Sequence, residues 1–448
     1  MNIISKIRFW LLLLGDILML YISLIAALLI RYGVNFYSEL IHYHLIPFSI
    51  IFIVWIIIFY IAGLYNPIKL RNNREFLKIL FFSMAVNAFL GVSFFYAIPS
   101  FHITPKTTLF LFIIVFFIIE FLWRRFYNIY SVPGEAFYKI ALLGNSQTTQ
   151  EINDFIKSNP QLGYEIKVWL KEGLKDKEIK RIHQIIIEDD INLIVIPFHL
   201  KKDEEGASIF YELLGMGIEV WDLPKIYEEI FQKLPLAEIE ESWFLENLSS
   251  RIKFYDNLKR SFEFILSLVL FIALLPLEIL IALIIKITSQ GPIIYKQRRV
   301  GELDREFYLY KFRSMTKNAE TDGPQWSQKN DQRVTLFGKI LRYSHLDELP
   351  QLINIMKGEV SFVGPRPERP EFVMELEKKV PYYRIRHLIK PGITGWAQVN
   401  YRYGASITDA EEKLRFDLFY LKNRSLFLDL IIILRTLKFF FVNYMAAE

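Results

Sequence analysis

None of the 448 residues is a cysteine, which excludes disulfide staples and thiolate metal centres and removes any pointer to an oxidising compartment. A large excess of one charge is missing too, with 53 Lys and Arg against 48 Asp and Glu. The net charge of +5 averages apolar stretches with a basic C-terminal half, which suits anionic partners such as phosphates or lipid headgroups without choosing between them. A dinucleotide loop is also missing: Gly144-Asn-Ser-Gln-Thr follows an apolar run, but without G-x-G-x-x-G spacing a close backbone approach to a pyrophosphate is not expected. Hydrophobicity is what abounds, at 53% of residues and a mean hydropathy of +0.25, high for a soluble protein of any domain count.

That hydrophobicity is concentrated. Four apolar runs, Phe9 to Ile30, Leu45 to Tyr65, Ile79 to Ile98 and Leu109 to Trp123, are close to the roughly 20 residues a helical span needs, the fourth by extension toward Thr104. The first is too long for a cleaved signal peptide and has no small-residue cleavage site. Lys6 and Arg8 precede the first run, Lys69, Arg71, Arg74 and Lys78 follow the second, and Arg124, Arg125 and Lys139 follow the fourth, so both ends of this region are expected to be cytoplasmic. Asp16 and Glu120 lie within spans, where a transport role is one reading; a Glu120–Arg124 pair near the interface is the stronger one.

From Tyr138 short apolar runs (YKIALLG, YEIKVWL, NLIVIPF, IEVWDL) alternate with amphipathic stretches, the pattern of a parallel α/β domain with a regulatory or structural role. A fifth apolar segment, 262–288, carries Pro276 near its centre. A full crossing would place Lys296, Arg298, Arg299, Arg305, Lys311 and Arg313 outside, against the positive-inside bias. Each half reaches only about 18 Å, so a hairpin that enters one leaflet and returns is the preferred reading and a kinked span the alternative. The C-terminal run FLDLIIILRTLKFFFV is interrupted by Asp429, Arg435 and Lys438, which suits an interfacial helix or one packed on the hairpin.

The stretch RYSHLDELPQ puts Asp347 and Glu348 before Pro350, with Leu349, Leu352, Ile353 and Met356 at helical spacing and Lys357-Gly358 as a stop. Helix capping explains such an acid pair by itself. The surroundings add a second explanation. Arg342 and His345 precede the pair, and Arg366 follows between two prolines that stiffen the backbone presenting its guanidinium, a fork matched to phosphate oxygens. Acids with rigid arginines point to a phosphate substrate handled with a divalent cation. Lys390-Pro-Gly-Ile-Thr-Gly is a loop whose glycines either approach a nucleotide or make a turn. Basic and aromatic residues interleave in YKQRRVG and YKFRSM; beside a membrane segment they favour a lipid-phosphate headgroup over nucleic acid.

GPIIYKQRRVG, YKFRSM, SHLDELPQLINIMKGEVSFVGPRP and PGITGWAQVN together resemble the bacterial sugar transferases, the monotopic phosphoglycosyl transferases, over residues 256–448, and the preceding regions resemble the large polyprenyl-phosphate hexose-1-phosphate transferases. The resemblance implies a membrane protein of α plus α/β class: a four-helix transmembrane region (1–130), a Rossmann-like middle domain (135–250) and a mainly helical catalytic domain (251–448) with a re-entrant hairpin over 262–288 broken at Pro276. It further implies that Asp347 is the nucleophile and Glu348 its partner, both metal-binding with Mg²⁺ as cofactor. Arg366, Arg342, Arg313 and Lys311 would meet substrate phosphate. The implied partners are a UDP-hexose, polyprenyl (undecaprenyl) phosphate, the lipid bilayer and a second copy in a homodimer, at the cytoplasmic face of a bacterial inner membrane. The sequence departs from the family at Glu263, where Asp is common, and at Leu275, where a small residue often precedes the proline. Two other classes compete. A nucleotide-sugar dehydratase would need a glycine-rich fingerprint that is absent, and a nucleotide-sensing membrane scaffold would use the acid pair only as a cap.

Overall fold

The computed structural model describes residues 3–66, 73–98, 106–130, 137–171, 186, 188–201, 211, 213, 215–248, 253–316, 331–401 and 406–445. Lys69, Arg71 and the helical stretch expected between the second and third strands lie outside these residues. The chain divides into two compact units, Met1–Glu229 and Ile230–Glu448.

The first unit begins with four apolar helices, α1 (Ile3–Tyr32), α2 (Leu45–Ala62), α3 (Arg74–Ala97) and α4 (Lys106–Tyr130). They match the four expected spans, with local differences at the ends. α2 stops at Ala62 because Gly63 turns left-handed (φ 84°), and α3 starts five residues early because the Asn73 side chain accepts the Phe76 amide. Their shared core is aromatic, built on Phe48, Phe52, Trp55, Phe59, Phe112 and Phe116.

The two in-span acids converge on one arginine. Arg124 Nε donates to Glu120 (2.9 Å), its Nη2 pairs with Asp16, and its Nη1 donates to the Leu64 carbonyl (2.8 Å). Tyr65 and Trp123 also donate to Asp16. All three charged side chains are fully buried, so the pairing extends beyond the expected Glu120–Arg124 contact to clamp α1 against α4. Gly15 makes that closeness possible, since a Cβ there would overlap the Trp123 ring. Gly15→Ala is expected to lower stability by about 1–3 kcal/mol, read as an earlier thermal unfolding transition of the detergent-solubilised chain.

After these helices comes a parallel four-stranded sheet of β1 (Tyr138–Leu143), β2 (Tyr164–Leu170), β3 (Leu193–Ile196) and β4 (Glu219–Asp222), in the order β2-β1-β3-β4. β1 and β3 are its most apolar strands and lie in the middle, as burial on both faces of a parallel sheet requires. The loop after β1 satisfies its own polar groups. Ser146 and Thr149 form a reciprocal capping box on α5 (Gln147–Ser158), and Trp169 donates to the Gly144 carbonyl (2.8 Å).

The second unit is organised along α6 (Lys253–Thr288), an assigned helix that runs through the expected hairpin segment with Pro276 in its interior. Both halves pack on the same body. Leu270, Phe271 and Leu274 meet Leu309, Leu352, Ile355 and Val360; Leu277, Ile281, Ala282 and Ile285 meet Phe312 and Leu341. Its other face exposes Ile265, Val269, Ile272, Leu280, Leu283 and Ile287, an apolar surface too large for water. The body comprises the antiparallel hairpin β5 (Ile294–Val300) and β6 (Glu306–Phe312), helices α7 (Leu336–Tyr343) and α8 (Gln351–Lys357), the parallel pair β7 (Ser361–Val363) and β8 (Gly392–Thr394), and helices α9 (Ile407–Asn423) and α10 (Leu426–Met445).

Candidate active site

The acid pair does not cap α8. Asp347 and Glu348 occupy a short 3₁₀ turn, Leu346–Glu348, entered through a left-handed His345 (φ 54°), and Pro350 holds the N-cap position with no side-chain cap bond. The capping explanation therefore gives way. The buried face of α8 also differs from the expected set: Leu352 and Ile355 enter the core with Gln351 and Asn354, while Ile353 and Met356 are half-buried. Gly358 ends the helix in the left-handed region (φ 81°), as expected.

Asn354 sets where the pair sits. It is fully buried, its amide donates to the Tyr308 carbonyl (2.7 Å), and its oxygen accepts the Tyr310 amide (3.0 Å), so α8 is hydrogen-bonded to β6. With Leu309 packed against Leu352, strand alternation returns Lys311 to the same face, where its Nζ donates to Glu348 Oε1 (2.8 Å). Arg366 Nη2 reaches the same oxygen (2.9 Å). Asn354→Leu leaves these β6 backbone groups unmatched; the expected loss is about 1–3 kcal/mol, checked by denaturant unfolding, with a parallel drop in turnover.

Arg366 is held from behind. Arg386 donates to its carbonyl (2.9 Å) while paired with buried Asp417 (2.8 Å), and Arg299 donates to the Pro367 carbonyl (2.9 Å). The Arg366 side chain nevertheless stays 44% exposed. The glycines at 392 and 395 serve a close backbone approach within the protein: a Cβ at either would overlap the Gly364 backbone, so they allow the Arg366 loop to pack on β8.

The two carboxylates are electrostatically distinct. Burial would raise the Glu348 pKa, but Arg366 and Lys311 outweigh it and hold the carboxyl well below its usual range. For Asp347 burial wins: its pKa is raised despite Lys311, with the neighbouring Glu348 charge adding to the rise and Arg342 and His345 opposing it. Among the described residues no donor hydrogen-bonds the Asp347 carboxylate. Glu348 is thus committed to two cations, while Asp347 keeps its lone pairs. Burial lowers the Lys311 pKa, with Glu348 pulling it back up.

The remaining phosphate-binding candidates sit nearby but in different bonds. Arg342 Nε donates to Ser314 Oγ (3.0 Å), and Arg313 Nη2 donates to the carbonyl and hydroxyl of Ser289, just past α6, while its Nε and Nη1 are buried without a partner. At the other end of α6, Lys259 donates to the Val363 carbonyl (2.8 Å) and Arg260 to the Met356 carbonyl (2.7 Å), and Glu263 accepts the Phe362 amide (3.0 Å). The Asp-to-Glu departure at 263 therefore ties the apolar helix to β7. Sequence reasoning missed Asn354, Arg386 and Asp417; an asparagine inside the apolar LINIM run was the single available signal.

The profile of the bacterial sugar transferase family matches residues 254–443. An Aeromonas hydrophila UDP-N-acetylgalactosamine-undecaprenyl-phosphate N-acetylgalactosaminephosphotransferase is 38% identical over 221 residues, 49% of this chain and 52% of that protein, so the chain spans about half of that relative's length. A Xanthomonas campestris UDP-glucose:undecaprenyl-phosphate glucose-1-phosphate transferase is 43% identical over 338 residues, 70% of this chain and 69% of that protein. A Klebsiella pneumoniae protein of the same description is 28% identical over 447 residues, 96% of this chain and 94% of that protein. With that coverage the chain belongs to the bacterial sugar transferase family and is a transferase.

Proposed function

We propose that the protein transfers a hexose-1-phosphate from a UDP-sugar to undecaprenyl phosphate, releasing UMP, at the cytoplasmic face of a bacterial inner membrane. The reaction class follows the descriptions of its relatives. One observation carries the mechanism: among the described residues the Asp347 carboxylate accepts no hydrogen bond, beside a Glu348 that holds both Lys311 and Arg366.

In the first step an Asp347 oxygen attacks the sugar-bearing phosphorus, the bond to the UMP oxygen breaks, and a sugar-phosphoryl aspartate forms. In the second a phosphate oxygen of the lipid attacks that phosphorus, the aspartyl bond breaks, and the carboxylate is regenerated with a polyprenyl-diphosphate sugar as product. Lys311 and Arg366, positioned by Glu348, face the oxygen charge that moves in both steps. Arg342 also lowers the Asp347 pKa.

In this reading Asp347 and Glu348 would hold a magnesium ion, since Mg²⁺ takes one or two carboxylates with water and phosphate oxygens. Bound there, it would neutralise phosphate charge during transfer. The division into regions 1–130, 135–250 and 251–448, a Rossmann-like role for the parallel sheet and a homodimer belong to the same reading. So does a re-entrant α6, supported by the packing of both its halves on one body.

The test is UMP release by the purified chain across UDP-glucose, UDP-galactose and their N-acetylated analogues, with and without Mg²⁺. Release from at least one donor is expected; none from any donor overturns the reading.

A further inference from the structure

Strand β5 places Tyr295, Gln297 and Arg299 on one face, and the ladder sets them opposite Lys311, Leu309 and Phe307 of β6. This is the face from which Lys311 reaches Glu348. On its other edge β5 meets the Arg366 loop: the Val300 amide donates to the Glu368 carbonyl (2.9 Å), and Arg299 donates to the Pro367 carbonyl (2.9 Å) and pairs with Glu368 (3.5 Å). β5 therefore runs between the strand that carries Lys311 and the loop that carries Arg366, with Gln297 in the middle of the shared face. Gln297 and Lys311 are diagonal neighbours across the ladder, about 7–8 Å apart, a span that a sugar phosphate bridges.

Chemistry fixes which way the Gln297 amide points. Arg299 Nε (3.0 Å) and Nη2 both donate to Gln297 Oε1, and a guanidinium has no acceptor, so only the amide oxygen can face it. Burial lowers the Arg299 pKa to about 10, with Glu368 opposing the fall, so the arginine stays a donor at neutral pH. The amide nitrogen is thereby turned toward Tyr295, the ladder partner of Lys311. There its partner among the described residues is the Tyr295 hydroxyl at 3.5 Å, longer than the about 2.7–3.2 Å of an N–H···O bond. The side chain is half-buried, so a held and underused donor is open to a ligand.

We propose that Gln297 recognises the nucleotide-sugar donor, its amide nitrogen donating to an oxygen of that molecule beside the phosphate that meets Lys311 and Arg366. The ligand's identity rests on the transfer reading; the placement of the amide does not. Lys311 and Arg366 attract any phosphate, whereas a neutral amide held in one orientation rewards an acceptor at one position, which is how a site tells similar donors apart.

Gln297→Met keeps the side-chain length and removes both polar atoms. UDP-glucose, UDP-galactose, their N-acetylated analogues and UDP alone are titrated calorimetrically into the full detergent-solubilised chain, wild type and variant. The dissociation constant of the UDP-sugars is expected to rise about three- to tenfold in the variant, the worth of one hydrogen bond. A rise for UDP-sugars alone places the acceptor oxygen on the sugar, and an equal rise for UDP places it on the nucleotide part. No rise for any of them overturns the proposal. The rival role is structural, because Arg299 also loses an acceptor and the Arg366 loop could loosen. That would lower the saturated rate of UMP release and leave KM for the UDP-sugar in place, a result that also overturns the proposal; the expected loss in kcat/KM lies mainly in KM. Titration needs no turnover, so a wild-type chain that binds UDP-sugars and releases no UMP defeats the transfer reading while the Gln297 comparison stands.

Discussion

Asp347→Asn is expected to abolish UMP release, by about 10³-fold or more, and to leave no sugar-phosphate mass on the peptide containing position 347. The wild-type chain, quenched during turnover without acceptor, should carry one such adduct. Asparagine has nearly the same shape, and no described hydrogen bond ends on the Asp347 carboxylate, so stability should change by no more than about 0.5 kcal/mol. That separates this result from misfolding. Full turnover by the asparagine variant, or an adduct on another residue, would move the nucleophile elsewhere.

The second large effect is expected at Lys311. Its ammonium has the largest effect of the charges lowering the Asp347 pKa and is one of two cations on Glu348. Lys311→Met should reduce kcat/KM by about 10²–10³-fold, the range for removing one preorganised donor. The pH profile distinguishes this from simple loss of packing. On the proposed mechanism the nucleophile works ionised, and burial already raises the Asp347 pKa, so activity is expected to fall as pH drops through that raised value. Without Lys311 the value rises further, and the acid limb should move to higher pH. Arg366→Lys tests the other cation: it keeps charge and loses the planar fork, so it should cost turnover with a smaller displacement of the acid limb. An acid limb that stays in place in Lys311→Met would show that the ammonium does not act on Asp347.

The two acids illustrate what can be read along a chain. Their adjacency to Pro350 alone favoured capping, and catalysis became legible only with Arg342, His345 and Arg366 around them, because both uses place a carboxylate just before a helix. The left-handed His345 and the N-cap role of Pro350 separated them, and neither has a sequence signal of its own. Lys311 could be named as basic, but not as the partner of Glu348 thirty-seven residues away. That pairing depends on the two hydrogen bonds from Asn354 to the β6 backbone, a contact no local pattern encodes.

The four apolar helices, the parallel sheet and the family motifs were determined by the sequence alone, because hydrophobic periodicity and strand alternation are local and persist whatever packs beside them. Tertiary structure alone decided that Glu348 takes both cations while Asp347 takes none among the described residues, that Asp16 and Glu120 share Arg124, and that α6 lays both halves on one body. These are choices among partners far apart in the chain. Which cation meets which carboxylate is set by the three-dimensional distance between them, since the energy of a charge pair depends on separation and burial and not on order along the chain.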